Sequence, residues 1–124
     1  MDIQLRREQP ADYRETENLT REAFWNQYAP GCDEHYLAHI LRGSPAFMPE
    51  LDAVALLDGK IVGNVMHTRA RIQGDDGSEY GVLALGPISV LPAYQRRGIG
   101  CQMIEYTRKL AREMGFRAIF LYGD

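Results

Sequence analysis

The sequence has little cysteine, little histidine and no long apolar run. Its 124 residues include two cysteines, three histidines and one tryptophan. Cys32 and Cys101 lie far apart and outside any metal-ligand spacing, which points to reduced thiols in a cytoplasmic protein and to no metal site. No stretch approaches the roughly 20 apolar residues that span a bilayer. The opening "MDIQLRREQP" lacks the charged-then-apolar layout of a signal peptide. Basic charge is also short. A net charge of −3 argues against general affinity for nucleic acid. Neither nucleic acid nor membrane is therefore expected as a partner.

What is present is ordinary for a globular chain, with 45% hydrophobic and 25% charged residues. The length suits a single domain, residues 1–124, burying roughly two-thirds of its unfolded surface. The charge is unevenly placed. Residues 95–117 carry six bases and two acids, whereas those before 95 carry eight bases and fourteen acids. A compact anionic ligand at one spot fits this pattern better than a long polyanion.

The residue pattern predicts a β-α-α-β-β-β-α-β order, a mixed α/β fold. "IQLRREQ" (3–9) reads as a short strand. Pro10, Asp12 and Glu15 form a capping-box start for a helix to about Tyr28. After the break "APGC", Asp33 caps a second helix, "EHYLAHILR", stopped by Gly43. The period then changes to two. Residues 51–57 and 61–72 read as a hairpin about Asp58-Gly59-Lys60, and 79–91 as a long strand in which Gly86-Pro87 makes a bulge or bend. From Ile99, an apolar stripe through Met103, Ile104, Thr107, Leu110, Ala111 and Met114 predicts a helix that ends at Gly115. Glu105 and Lys109 are expected to pair on its exposed face. "FRAIFLY" (116–122) is a last strand.

The turn into that helix carries the chemistry. Unpaired amides and the macrodipole make a helix N-terminus attractive to anions. Gly98 and Gly100 keep side chains out of the way, and Arg96 and Arg97 add charge. Cys101-Gln102 follows where a P-loop needs Lys-Ser/Thr, and Met103 stands where a dinucleotide fingerprint needs its third glycine. On the glycines alone, a tight turn with no ligand is the favoured reading over a pyrophosphate cradle.

Val90-Leu91-Pro92 followed by Gln95-Arg96-Arg97-Gly98-Ile99-Gly100 resembles the acetyl-CoA signature of the GNAT superfamily of N-acetyltransferases, Q/R-x-x-G-x-G/A after a bulged strand. The order of elements is similar too. "PGCDEHYLAHILRGSPAF" and "LALGPISVLP" resemble its YhbS-like branch. The resemblance implies a GNAT-like fold with strands splayed around a CoA cleft. Acetyl-CoA would be the cosubstrate, and an unidentified small-molecule or protein amine the acceptor. Backbone amides from Arg96 to Cys101 (Arg96, Arg97, Gly98, Ile99, Gly100, Cys101), flanked by Gln95, would hold the pyrophosphate. Ile88, Ser89 and Val90 would pair with the pantetheine arm, the Val90 N–H facing the thioester oxygen. Arg96 or Arg97 either reaches the 3′-phosphate or is solvated. Transfer would be a direct attack by a primary amine. The alternative is a non-catalytic acyl-CoA-binding or interaction module.

In related sequences another helix and a strand pair follow the point where this chain stops, and the usual tyrosine acid lies there. Tyr122 does not hold that position. The expectation is an incomplete domain, its final helix and strands missing. Its open edge would suit a homodimer or a strand-completing partner. Four other residues have two readings each. His67 is a general base through water or a hydrogen-bonded strand residue. Glu34 and His35 touch the amine acceptor or belong to a solvated helix face. Cys101 is an acyl-accepting thiol or, as favoured, a small residue against phosphate.

Overall fold

Proline and glycine punctuate the chain into eight main elements. The computed structural model describes residues 3–24, 34–73, 75–77, 79–116 and 119–121. They form β1 (Gln4–Arg7), α1 (Tyr13–Phe24), α2 (Glu34–Arg42), β2 (Ala53–Leu57), β3 (Lys60–Gln73), β4 (Glu79–Val90), α3 (Ile99–Glu113) and β5 (Ile119–Leu121). The order is the expected β-α-α-β-β-β-α-β. One sheet runs β1-β2-β3-β4-β5, antiparallel through β4, with β5 parallel to β4. The β2–β3 turn has positive φ at both Asp58 and Gly59. That handedness matches strand twist in a two-residue hairpin.

Several boundaries depart from the sequence expectation, β1 covering only Gln4–Arg7 of 3–9 and Phe116 lying outside β5. Pro10 opens a short 3-10 turn, Pro10–Asp12, before α1. Asp12 is therefore the third residue of that turn, and its carboxylate accepts the Gln9 N–H at 2.9 Å and pairs with Arg6 at 2.7 Å. The cap lies one turn earlier than an Asp12–Glu15 box. Pro49 likewise opens a turn, Pro49–Leu51, so β2 begins at Ala53 rather than at 51. The expected extension of α1 toward Tyr28 falls outside the described residues.

The helices cover opposite faces of the sheet. Thr16, Leu19, Thr20 and Ala23 are the buried stripe of α1, and Ile99, Met103, Thr107 and Ala111 that of α3. Successive strand residues point to opposite faces. On β4, Ser89 meets Thr20 of α1, whereas a Cβ on Gly100 of α3 would lie 3.9 Å from Ile88. Gly63 on β3 faces Met103 so closely that a Cβ there would sit 3.0 Å from the methionine methyl. Met114, expected on the apolar stripe, is 44% exposed because it lies past the last helical residue, where Gly115 turns the chain at φ 93°. Glu105 pairs with Arg108 at 3.0 Å, one position short of the expected Lys109.

Candidate active site

The cleft implied by the resemblance would begin where β4 changes its pairing. Val65 opposes Ile88 and His67 opposes Leu85, so Gly86 and Pro87 share the single partner Met66. This is the bulge that the Gly-Pro pair implied. Before it, Leu83, Ala84 and Leu85 pair with Ile119, Phe120 and Leu121 of β5. Beyond it, among the described residues, β4 keeps pairing with β3 alone.

Strand geometry sets the direction of the free backbone. Leu91 N–H donates to Val62 O at 2.9 Å, so Leu91 and, two residues back, Ser89 turn their polar groups toward β3. Ile88 and Val90 alternate with them and present theirs to the side away from β3. The Val90 carbonyl on that side accepts the Gln95 side-chain N–H at 3.0 Å. Gln95 thus pins the loop after the strand to the strand's own end.

That loop runs through a single turn, Pro92–Tyr94, and then reverses twice. Arg96 has φ 65° and Gly98 φ 81°, both in the left-handed region. Alternating handedness aims successive amides inward, as in anion-binding nests. The first intrahelical bond of α3 runs from Gln102 N–H to Gly98 O at 3.1 Å. Ile99, Gly100 and Cys101 therefore carry N–H groups with no intrahelical acceptor. Arg96, Arg97, Gly98 and Cys101 are exposed, Ile99 is buried, and Gly100 is intermediate. The Arg97 guanidinium lies 5.8 Å from the Tyr94 ring centroid, within cation–π range.

The remaining candidates are separate from this loop. His67 is fully buried, with Nδ1 3.0 Å from Leu51 O and Nε2 facing no partner. Burial holds its pKa below the ordinary value, the Leu51 bond opposing. This environment is that of a neutral core histidine. Glu34 and His35 begin α2, and their side chains lie outside the described residues, as does Tyr122. His39, one turn along α2, pairs instead with Glu17 of α1 at 2.8 Å.

The sequence reading missed what holds the helices beside the cleft. Ser89 Oγ meets Thr20 Oγ1 at 3.0 Å, and a buried polar seam of Glu8, Arg42, Asp52 and Asn64 lies on the same face of the sheet. A serine flanked by Ile88 and Val90 was the available signal. Glu8 gave none, since a strand-end glutamate reads as solvated. Among the described residues, no helix is long and apolar enough to cross a membrane.

Residues 5–124 match the model of the Acetyltransferase (GNAT) family. The chain belongs to the GNAT acetyltransferase family. Among solved GNAT structures, an acetyltransferase from Brucella melitensis in complex with acetyl-CoA superposes with a TM-score of 0.84 at 33% identity, covering 99% of this chain and 77% of that one. An aminoglycoside acetyltransferase from an uncultured soil metagenomic sample, in complex with sisomicin, gives 0.68 at 25% identity, covering 98% of this chain and 78% of that one. In sequence, the uncharacterized N-acetyltransferase YjhQ of Escherichia coli (strain K12) is 35% identical over 75 residues. That alignment covers 60% of this chain and 41% of YjhQ. The mixed α/β fold is thus that of a GNAT domain.

Proposed function

We propose that this chain transfers an acetyl group from acetyl-CoA to a primary amine by direct attack. The observation that carries the reading is the backbone of Ile88 and the Val90 N–H, which turn away from β3 beside a helix N-terminus opened by Gly98 and Gly100. An extended pantetheine arm would add to β4 as a strand adds to a sheet edge. The pyrophosphate would lie on the amides of Arg96, Arg97, Gly98, Ile99, Gly100 and Cys101, with Gln95 holding the loop in place. Arg96 and Arg97 would supply charge toward the 3′-phosphate.

In this reading the amine lone pair attacks the thioester carbonyl carbon. The carbonyl electron pair moves to oxygen, facing the Val90 N–H, and returns as the bond to sulfur breaks. A base takes the ammonium proton, and the departing thiolate gains one. His67 is given no step, because its buried ring has no described route to the cleft. Glu34 and His35, at the start of α2, are proposed to border the acceptor.

A cationic acceptor is favoured by the acidic excess before residue 95. The sisomicin-bound relative makes aminoglycosides a sensible first class to screen. The YhbS-like branch and a cytoplasmic site of action belong to the same proposal.

Calorimetric titration with acetyl-CoA tests the cradle. Binding is expected in the folded chain and lost in Gly100→Glu, an acidic residue that the first helical turn otherwise accepts. Unchanged binding in that variant would reject the cradle. Thiol release with an amine panel then separates an enzyme from an acyl-CoA-binding module.

A further inference from the structure

Three ionisable side chains from separate segments meet in the buried seam on the α1 face of the sheet. Glu8, just past β1, accepts Arg42 of α2 on Oε1, from Nη2 at 2.8 Å and Nε at 3.2 Å. Arg42 Nη2 also reaches Thr16 Oγ1 at 2.9 Å, and its guanidinium lies 4.4 Å from the Tyr13 ring centroid. Asp52, just before β2, accepts Asn64 Nδ2 on Oδ1 at 2.9 Å. The backbone joins the two acids as well, Glu8 N–H donating to Asp52 O at 2.7 Å.

The second oxygens carry the inference. Glu8 Oε2 and Asp52 Oδ2 are buried and face no donor, and the β1–β2 register that pairs Arg7 with Ala53 sets Glu8 opposite Asp52, where side chains on one face of the sheet are neighbours. Ionised carboxylates only accept hydrogen bonds, so two of them cannot satisfy one another. One proton between them satisfies both. We propose that Glu8 and Asp52 share a single proton in the folded protein, forming with Arg42 a neutral clamp that ties α2 to the sheet.

Charge balance supports it. Two ionised carboxylates would face one guanidinium in a dry site, where a surplus negative charge is costly. Burial first, and Glu8 next, push the Asp52 carboxyl up to about 9, with Asn64 and Arg42 pulling the other way. The other charged neighbours leave the balance in place. Glu17 of α1 stands 3.6 Å from Arg42 Nη1 and also holds His39. Tyr13 is neutral, its pKa raised by burial, with Arg42 and then Arg7 opposing. Arg6 is engaged by Asp12. From β2 and β3, among the described residues, only neutral groups reach the pair, namely the Asn64 amide and the Ala53 carbonyl beside it.

Folding then takes up a proton. The unfolded Asp52 titrates near its ordinary 3.8, and the folded one near 9. Between those values the folded state holds one extra proton, so stability falls as pH rises and levels off above the folded value. Each such proton lowers the folding equilibrium constant about tenfold per pH unit.

The test is urea unfolding at several pH values between about 7 and 8.5, above the ordinary histidine range. The wild-type chain is expected to show that tenfold dependence. Asp52→Asn should lose it and stay as stable at the upper end, because its amide keeps Asn64 and donates to Glu8. A wild-type dependence that persists in Asp52→Asn would overturn the proposal. Should that variant not fold, Glu8→Gln is expected to abolish the dependence in the same way. Infrared spectroscopy of the wild type at neutral pH decides independently of any variant. A protonated-carboxyl carbonyl band supports the shared proton, and its absence rejects it.

Discussion

Thr20 and Ser89, 69 positions apart, hold each other by their hydroxyls at 3.0 Å inside the molecule. Thr20 also bonds its own helix, with Oγ1 2.9 Å from Thr16 O. A hydroxyl has one proton, and the Thr16 carbonyl can only accept, so Thr20 donates there and Ser89 donates to Thr20. The bond ties α1 to β4 between the two residues whose backbone faces the cleft.

This direction makes the two truncations unequal. Ser89→Ala leaves Thr20 bonded to Thr16 and should cost about 1 kcal/mol or less. Thr20→Val keeps the volume but strands a buried donor on Ser89, for about 1–3 kcal/mol. The double variant should cost less than the two added together. Urea midpoints measure all three, and equal single costs would contradict the donor assignment.

Two glycines of the same packing layer should respond differently. At Gly63 a Cβ would meet the Met103 methyl at 3.0 Å and the Ser89 carbonyl oxygen at 3.3 Å. Gly63→Val should therefore destabilise by about 1–3 kcal/mol through overpacking. At Gly100 the nearest atom is 3.9 Å away, so Gly100→Ala should leave the melting temperature unchanged or raise it. A weaker acetyl-CoA affinity in Gly100→Ala would then reflect the ligand and not the fold.

Gly98 isolates backbone strain. Nothing lies within 4 Å of a Cβ placed there, but φ is 81°. Gly98→Ala should cost about 1–2 kcal/mol from conformation alone. Gly98→Asn should recover much of that loss, since asparagine tolerates the left-handed region. Thermal melts of the three proteins give the comparison, and an alanine variant as stable as wild type would rule out the strain.

On the acid side, His67 acts oppositely to Asp52. Its folded pKa lies below the ordinary 6.5 because burial disfavours the imidazolium. The stability it contributes is present above that ordinary value and is lost as pH falls below it, when the unfolded chain binds the proton. Asp12 adds a further loss at lower pH, since the Arg6 hydrogen bond holds its carboxyl below 3.8. His67→Gln should flatten the dependence just below the ordinary histidine value, as followed by denaturant midpoints. An unaltered dependence would mean that His67 becomes charged in place.

How far the site could be read from sequence differs by residue. The loop between β4 and α3 was legible because its information is local. Gly98 takes a positive φ, Gly100 follows within the first turn of α3, and Gln95 reaches back only five residues. The Gly86-Pro87 bulge followed from proline's missing donor. The start of α1 was misplaced because Asp12 serves the turn before it, a choice between two adjacent caps that spacing does not resolve. Glu34, His35 and Tyr122 are not decided by the described residues.

The sequence by itself determined the order of elements, the face that α3 buries and the place of the glycine turn into α3. Each follows from periodicity or from a backbone requirement within a few residues. Only the tertiary structure decided that Glu8, Arg42 and Asp52 meet away from water, that Thr20 reaches Ser89, and that His67 is sealed in the core. Burial and hydrogen-bond partnership depend on residues brought together from distant parts of the chain. A glutamate at a strand end and a histidine within a strand carry no local sign of which neighbours will surround them.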